Sequence, residues 1–324
     1  MNRRAIIAAL AGTLAWPPLA RAQPTSKRPI VGFLGAATEE GWKPWIAAFI
    51  QRMNELGWVD GRTLTIEYRW AEGRSTRYAE IAAELVELRV DAIVTAGAAV
   101  AALRQATSTI PIVFAVANDP IGGGLVASLA RPGGNVTGLS VQSSELGSKR
   151  LELLRELLPG LQRLAIMANP GYRAAAVEME EMQSLARTLG IEGTPLEIRG
   201  AEDLAPAIEK AKDRADAIYV CADSFADANG RHIIDFARSA RIPTMHHERY
   251  YVDRGALISY GPNHKNMFRR AAEYVDKILH GTKPSDIPVE QATRFELVIN
   301  TATAKILGLK IPEALLVRAD DLIE

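Results

Sequence analysis

A run of glycines is the first feature of this 324-residue chain that could do chemistry. Residues 115–140 read AVANDPIGGGLVASLARPGGNVTGLS. Glycine-rich turns that cradle phosphates follow the first strand of a unit, as G-x-G-x-x-G or G-x-x-x-x-G-K-[ST]. Here the glycines follow the fourth predicted strand, fit neither spacing and lack the lysine. We predict a turn after Asp119-Pro120, a short helix over LVASLA and a final strand over NVTGLS, with phosphate binding as the alternative.

Metal and nucleophile chemistry have little support in the sequence. His246 and His247 are adjacent in the sequence and could suggest a metal site. Neighbouring residues on a strand point to opposite faces, however, so the two cannot readily bind one ion. There is no G-x-S-x-G elbow, and the single cysteine, Cys221, has no suitably placed histidine. We predict no metal, no cofactor and no catalytic residue. A two-domain α/β transferase is the alternative from the enzyme class.

Charged residues and helix starts at predicted strand ends offer a different chemistry, the binding of a small solute. Asp223 ends an apolar strand, where its carboxylate needs a cation or the N–H groups of a following helix. Gly97-Ala98-Ala99 opens a helix whose free N–H groups could hold a carboxylate, or it is a plain turn. Asp119 is a turn former or a ligand contact. Glu248 is a cleft contact or the partner of an arginine.

Strands that alternate with amphipathic helices must position these residues. Buried or alternating runs predict strands at 28–35, 64–70, 91–97 and 110–117, and a helix over 41–57. The plan then repeats, because VDAIVTAG (90–97) has a near copy in ADAIYVCAD (215–223), and an Ile-Pro strand follows each. The offsets between matching strands are about 134, 125 and 132 residues. We predict an α/β protein with two similar doubly wound parallel-sheet lobes.

The N-terminus is typical of an export signal. A basic Asn2-Arg3-Arg4 precedes the apolar run AIIAALAGTLAWPPLA and the cleavage motif Ala20-Arg21-Ala22. The run is short and contains two prolines, which argues against a membrane anchor. Cleavage removes three of the 38 basic residues and none of the 38 acidic ones, leaving a net charge of about −3. We predict a periplasmic monomer without a lipid anchor, a disulfide or a nucleic-acid partner.

From residue 28 to its end, the chain resembles the periplasmic substrate-binding proteins of ABC transporters, in the tryptophan/tyrosine-type branch of the type I periplasmic binding protein fold. The resemblance rests on these segments: MNELGWVDGRTLTIEYRWAEG (53–73), ELVELRVDAIVTAG (84–97), ATSTIPIVFAVANDP (106–120), GLVASLARPGGNVTGLS (124–140), KILHGTKPSDIPVEQ (277–291) and FELVINTATAKILGLKIPEALLVRADDLIE (295–324). It implies two lobes joined by a multi-strand hinge that close over a small molecule, an amino acid or related compound. It also implies an ABC permease as partner. A ligand sensor that presents the solute to a signalling receptor is the other possibility that the same lobes allow.

The resemblance also implies where the lobes divide. Lobe 1 would hold residues 28–139 and about 263–290, and lobe 2 residues 140–262. The segment 291–324 would cross back at the hinge. The crossings would lie at Leu139–Gln142, near Ser259–Asn263 and after Pro288.

Ligands of open parallel sheets bind outside the C-terminal ends of the strands, so the cleft should lie between the facing edges of two such sheets. Tyr172 and Tyr260 fall at predicted rims and could stack on a flat side chain, whereas Trp45 has the helical spacing of a core residue. A serine or threonine that relatives often carry near Ala98 is missing here. The predicted ligand-binding residues are Ala37, Thr38, Gly97, Ala98, Ala99, Asn118, Asp119, Ser140, Gln142, Asn169, Tyr172, Asp223, Ser224, Glu248 and Tyr260.

Overall fold

The computed structural model describes residues 28–141 and 143–324. The predicted signal peptide, residues 1–22, and the candidate ligand residue Gln142 lie outside these ranges. Within them, no helix combines the length and the apolar character that a membrane crossing requires.

The described chain alternates strands with helices. Its strands are β1 (Ile30–Gly35), β2 (Thr65–Trp70), β3 (Ala92–Ala96), β4 (Ile112–Ala117), β5 (Val136–Ser140), β6 (Arg163–Ala168), β7 (Glu192–Glu197), β8 (Ala217–Val220), β9 (Thr244–His246), β10 (Ile258–Pro262), β11 (Glu290–Gln291), β12 (Phe295–Asn300) and β13 (Asp321–Ile323). Its α-helices are α1 (Glu39–Glu55), α2 (Tyr78–Glu87), α3 (Ala99–Ala106), α4 (Ser143–Leu157), α5 (Arg173–Thr188), α6 (Leu204–Lys212), α7 (Ser224–Ala228), α8 (Gly230–Ser239), α9 (Arg249–Val252), α10 (His264–Leu279), α11 (Thr301–Ile306) and α12 (Glu313–Arg318).

The strands form two sheets. The first has the order β11-β5-β4-β3-β1-β2 with every neighbouring pair parallel. The second has the order β13-β12-β10-β9-β8-β6-β7, and only its β10–β12 pair is antiparallel. The predicted fold class, two doubly wound α/β lobes with largely parallel sheets, is confirmed.

Helices cover both faces of each sheet because successive strand residues point to opposite sides. In sheet 1, Phe33 packs against Phe49 of α1 and Phe268 of α10. The neighbouring Gly32 faces Leu85 of α2 on the other side. In sheet 2, Ile166 belongs to the apolar cluster under α4 and α5, whereas its neighbours in β6 belong to the cluster under α6 and α8. Each lobe therefore has its own core.

Three connections join the lobes. The chain leaves sheet 1 after Ser140 and enters α4 of lobe 2. It returns at Asn263, between β10 of sheet 2 and α10, which packs on α1. It leaves sheet 1 again after Gln291, and β12 begins at Phe295. The segment 291–324 thus passes from sheet 1 to sheet 2, where it supplies the strands β12 and β13.

The glycine-rich stretch folds as turns, so the predicted helix over 125–130 is wrong. Asp119 Oδ1 accepts a hydrogen bond from the Gly122 N–H at 2.8 Å, and the carbonyl of Pro120 accepts from both Leu125 and Val126. Gly124 has a φ of +65°, in the left-handed region that favours glycine. Six residues between such turns are too few to hold a helix against them.

Candidate ligand-binding cleft

The C-terminal edges of the two sheets face each other, and their loops touch. The Tyr172 hydroxyl of lobe 2 donates a hydrogen bond to the Gly73 carbonyl of lobe 1. A methyl group placed on Gly97 of lobe 1 would lie 4.0 Å from Ser224 Oγ of lobe 2. One placed on Gly41 would lie 3.8 Å from the Tyr250 ring. The structure is therefore a closed form, with the loops after β1, β2 and β3 meeting those after β6, β8 and β9.

Asp223 follows β8 and is only 8% exposed. Its Oδ1 accepts from the Ala226 N–H at 2.6 Å and so caps α7, while its Oδ2 accepts from the Asn169 N–H at 3.2 Å. Burial raises the pKa of the Asp223 carboxyl to about 6, although the two backbone N–H groups lower it. Among the described residues no lysine, arginine or histidine lies within 4.0 Å of it. The carboxylate is thus held in place but not neutralised.

The other acidic residues near this edge of lobe 2 have partners. Glu178 pairs with Arg150 at 3.2 Å. Asp227 Oδ1 lies 3.2 Å from His247 Nε2, and the Tyr251 hydroxyl donates to the same oxygen at 2.9 Å.

Glu248, which is 5% exposed, lies 3.6 Å from Nδ1 of His264 at the start of α10. The charged neighbour of Glu248 is therefore a histidine and not the arginine of one alternative, and the other alternative, a contact with the solute, stays a prediction. The edge-on ring of Trp45 packs against His264 with a centroid separation of 4.8 Å. Trp45 itself is 8% exposed, as predicted for a core residue.

The loop after β3 offers backbone N–H groups to the cleft instead of polar side chains. Gly97 has a φ of +66°, and both Gly97 and Ala98 remain exposed although the lobes touch. Ala98 is the N-cap residue of the eight-residue helix α3 and has no side chain that could cap it, and the first turn has no acidic residue. The helix N-terminus therefore offers free N–H groups and a partial positive charge to the cleft.

The side chains of several predicted ligand residues form hydrogen bonds to nearby backbone. Thr38 Oγ1 caps α1 by accepting from the Gly41 N–H at 3.2 Å. Asn169 Oδ1 accepts from the Gly171 N–H at 2.8 Å. Asp119, exposed, fixes the turn described above, which is the turn-forming alternative of the sequence analysis.

The remaining predicted residues lie at the same strand ends. Ala37 and Ser140 are buried, Asn118 is half-buried, and Ala99 is buried in the first turn of α3. The half-buried Tyr260 stacks on Phe295, and its carbonyl accepts from Arg150 Nε at 2.7 Å. Its ring therefore packs on Phe295, and the predicted stacking on a solute stays a prediction.

Sequence reasoning missed a buried polar network behind Asp223. The Arg150 guanidinium contacts Glu178 and donates to the Tyr219 hydroxyl at 3.1 Å. Glu178 Oε2 accepts a hydrogen bond at 2.9 Å from the N–H of Ala222, the residue directly before Asp223. No sequence signal marks this set, because Arg150, Glu178 and Tyr219 lie far apart and each stands within an ordinary helix or strand pattern.

Sequence reasoning also missed Tyr78. Tyr78 is 4% exposed and its hydroxyl makes no hydrogen bond of normal geometry. It lies beside Ser224 and Tyr172 of the other lobe, and burial raises its pKa. The ring belongs to the core of lobe 1, but the hydroxyl faces lobe 2.

No metal centre forms within residues 28–141 and 143–324, where no three His, Cys, Asp or Glu side chains come together suitably. His246 is fully buried with its ring stacked on Tyr251 at 4.1 Å, and burial holds its pKa well below the ordinary value. His247 turns to Asp227 instead. The two histidines thus have different partners, as expected for neighbours on a strand.

Known proteins are similar to this chain in sequence and in architecture. A family model described as ABC transporter substrate binding protein matches residues 41–323. A tyrosine-binding protein from Clostridioides difficile is 28% identical over 263 residues, which cover 81% of this chain and 76% of the relative.

Solved structures agree with these sequence matches. A conserved domain protein from Vibrio cholerae is 31% identical, with a TM-score of 0.85 over 91% of this chain and all of the other. An ABC domain from Streptococcus pneumoniae in complex with L-Trp has the same fold, at 24% identity and a TM-score of 0.84 over 92% of this chain and 100% of that one. With two lobes closed over a cleft and a family match that spans nearly the whole described chain, this protein belongs to the ABC transporter substrate-binding protein family.

Proposed function

We propose that this protein captures an amino acid or a closely related amine-bearing solute between its lobes and delivers it to an ABC permease. The observation that carries this proposal is Asp223, a buried carboxylate at the cleft edge with no cationic partner among the described residues. A buried ionised carboxylate is costly unless a cation meets it. A solute ammonium would supply that cation, since each carboxylate oxygen can accept a second hydrogen bond.

The opposite lobe supports a carboxylate at the other end of the solute. The exposed backbone of Gly97 and Ala98 leads into α3, and helix N-termini favour anions. Ser224, next to Asp223, lies opposite Gly97 and could donate its hydroxyl to the same group. A zwitterion would therefore bridge the lobes, with its positive end on lobe 2 and its negative end towards lobe 1. Such a ligand favours the closed form because it contacts both lobes only there.

The names of two similar proteins indicate which amino acids should be tested first. One curated relative is named for tyrosine and one structural neighbour holds L-Trp. We further propose that the protein works in the periplasm as a monomer, after cleavage of the N-terminal signal, and catalyses no reaction. The sequence of residues 1–22 supports export, and the match to a substrate-binding family supports binding without catalysis.

Calorimetric titration of the purified protein with the twenty amino acids tests the proposal. L-tyrosine, N-acetyl-L-tyrosine and L-tyrosine methyl ester form a matched set, because the second lacks the ammonium charge and the third the carboxylate. We expect an amino acid to bind, and each of its two blocked derivatives to bind at least tenfold more weakly. At 100 times its Kd, the ligand should stabilise the protein by about 2.7 kcal/mol. Absence of binding by every amino acid, or equal binding of the N-acetyl derivative, would contradict the proposal.

A further inference from the structure

The two lobes approach each other most tightly at Gly73. A methyl group placed there would lie 2.7 Å from Ala228 Cβ and 3.2 Å from the Ser224 carbonyl oxygen. Real Cβ atoms essentially never come within 3.0 Å of another heavy atom, so a side chain at position 73 requires the lobes or their loops to move. Gly73 also has a φ of +74°, which favours glycine on its own account.

The loop that carries Gly73 is fixed to lobe 1. Backbone N–H groups of Ala71, Glu72 and Gly73 donate to the carbonyls of residues 35, 37 and 36 at 2.9, 3.1 and 2.9 Å. These bonds continue the β1–β2 ladder past the end of both strands. Arg77 adds a bond to the Trp70 carbonyl at 2.7 Å. Because the loop is tied at several points, it cannot yield without disturbing the sheet edge.

The surface that meets Gly73 is fixed to lobe 2. Ala228 is the last residue of α7, whose first turn is capped by Asp223 and whose end is held by a bond from Asn229 Nδ2 to the Phe225 carbonyl at 2.9 Å. The Tyr172 hydroxyl reaches the Gly73 carbonyl from the start of α5. Ala228 packs against the apolar core of lobe 1, although it belongs to lobe 2.

We infer that Gly73, Tyr172 and α7 form an inter-lobe clamp, which sets the affinity for the solute without contact between Gly73 and the solute. The clamp contacts join loops of different lobes, so they exist only when the cleft is shut. Interactions that are made in only one of two conformations raise the population of that conformation. A ligand that binds only the closed form then binds with a higher apparent affinity, by the same factor as the population of the closed form. The inference rests on the proposed function for the identity of the ligand, but not for the geometry of the clamp.

Gly73→Ala tests the clamp against a closely matched control, Gly61→Ala. Gly61 lies in the same lobe with a φ of +73°, yet a methyl group there meets nothing within 4 Å. Both variants therefore carry the same backbone strain, and only one carries the collision with lobe 2. Overpacking of this kind corresponds to a loss of about five- to 100-fold. We expect Gly73→Ala to weaken binding of L-tyrosine or L-tryptophan by that factor, and Gly61→Ala to change it less than twofold.

Tyr172→Phe removes the hydroxyl and keeps the ring. Loss of one such bond should weaken binding about fivefold. Added to Gly73→Ala, the same substitution should have a smaller effect, because the displaced lobes no longer bring the two groups together. Equal affinities of Gly73→Ala and Gly61→Ala, or full additivity with Tyr172→Phe, would overturn the inference.

A cross-link tests the geometry without a ligand. Disulfides need Cβ atoms about 3.5–4.5 Å apart. In the closed form a Cβ at position 73 would lie 2.7 Å from that of Ala228, so an opening of about 1 Å brings the pair into this range. Gly73→Cys with Ala228→Cys should therefore oxidise readily, whereas Gly61→Cys with Ala228→Cys should not. The native Cys221 is buried and present in both proteins. Intact-mass and peptide mapping would show the bond. If both pairs oxidise at the same rate, or the first does not oxidise at all, the lobes do not meet at Gly73 and the clamp is refuted. If the 73–228 bond forms but no amino acid binds the wild-type protein, the clamp stands and the proposed function fails.

Discussion

Asp223→Asn separates the two roles that the structure allows for Asp223, helix cap and partner of an ammonium. Asparagine can still accept from the Ala226 N–H, because its side-chain oxygen takes the place of Oδ1. It loses the negative charge and one backbone acceptor, the one for the Asn169 N–H at 3.2 Å. The substitution therefore tests charge while it retains the cap of α7.

The magnitudes follow from the environment of the carboxyl. Burial raises the pKa of Asp223 from its ordinary 3.8 to about 6, which disfavours the ionised form by about 3 kcal/mol. Removal of the charge relieves that cost, while the unpaired Asn169 N–H costs about 1–3 kcal/mol. We expect the two to offset within about 2 kcal/mol in the free energy of unfolding without ligand. A hydrogen bond to a charged group contributes about 1.5–3 kcal/mol, so amino-acid binding should weaken about ten- to 150-fold.

The pH dependence has a definite sign. The cost of the raised pKa is absent below pH 3.8 and complete above about pH 6, so without ligand this group destabilises the wild-type fold as the pH rises through that window. Binding of an ammonium requires the ionised form. The wild-type affinity should therefore be constant from about pH 6 to about pH 8, where the solute ammonium is still protonated, and fall about tenfold per pH unit below pH 6. Asp223→Asn should lose this dependence in both titration calorimetry and urea unfolding.

Asp216→Asn is the control. Asp216 also accepts from two backbone N–H groups, those of Gln162 and Arg163, but it lies at the opposite end of β8 from the cleft. Burial opposes its ionisation, yet the Arg163 guanidinium and these N–H groups outweigh burial and lower its pKa. The control should lose stability and keep its affinity. An Asp223→Asn protein with wild-type affinity and an unchanged pH profile would show that Asp223 is only a cap.

Other perturbations have equally defined outcomes. Arg150→Met leaves Glu178 buried without its cation and should reduce the free energy of unfolding in urea by about 3–5 kcal/mol. Burial lowers the pKa of His247, but Asp227 outweighs burial and raises it; the resulting stabilisation is complete below about pH 6.5 and is lost as the pH rises through the raised pKa. Asp227→Asn should flatten the unfolding free energy measured across that window. Gly97→Ala forces a side chain into a φ of +66°, so it should cost about 1 kcal/mol in urea unfolding and also weaken binding in calorimetry.

The fold was predictable because the sequence repeats its own pattern. The strand predicted over 28–35 is observed at Ile30–Gly35, and the helix predicted over 41–57 at Glu39–Glu55. Hydrophobic period and helix-stop glycines determine such elements locally, so little tertiary information is needed. The exception is the stretch 121–134, where LVASLA has helix-like composition. There the Asp119 turn and positive-φ glycines, which act through backbone geometry, override the composition.

The cleft was predictable only in outline. Parallel topology places every strand end at one edge, and this rule found Asp223, Ser224 and Gly97 together. It does not say which side chains are already occupied. The side chains of Thr38 and Asn169 accept from backbone N–H groups three and two residues away, and these bonds depend on loop conformation.

Contacts between residues that are distant in sequence could not be predicted either, because they depend on tertiary packing. Arg150 and Glu178 sit on different helices, and each has an ordinary amphipathic context. Only the packing of α4 against α5 brings their charges together. Gly73 was part of a family signature, yet its collision with Ala228 depends on the angle between the lobes, which no local pattern encodes.

Asp223 would link the solute to the clamp, because it is the N-cap residue of α7. Its carboxylate caps the helix, the next residue faces Gly97, and the last residue of the helix meets Gly73. A solute ammonium that neutralises Asp223 would thus contact the N-cap of the same short helix whose last residue touches lobe 1. The cap and the ligand contact are then not competing roles, since the cap fixes the direction in which the remaining lone pairs of the carboxylate can point. On this reasoning Asp223→Asn and Gly73→Ala act on one closing step through different ends of α7, and their effects on affinity should fall short of additive.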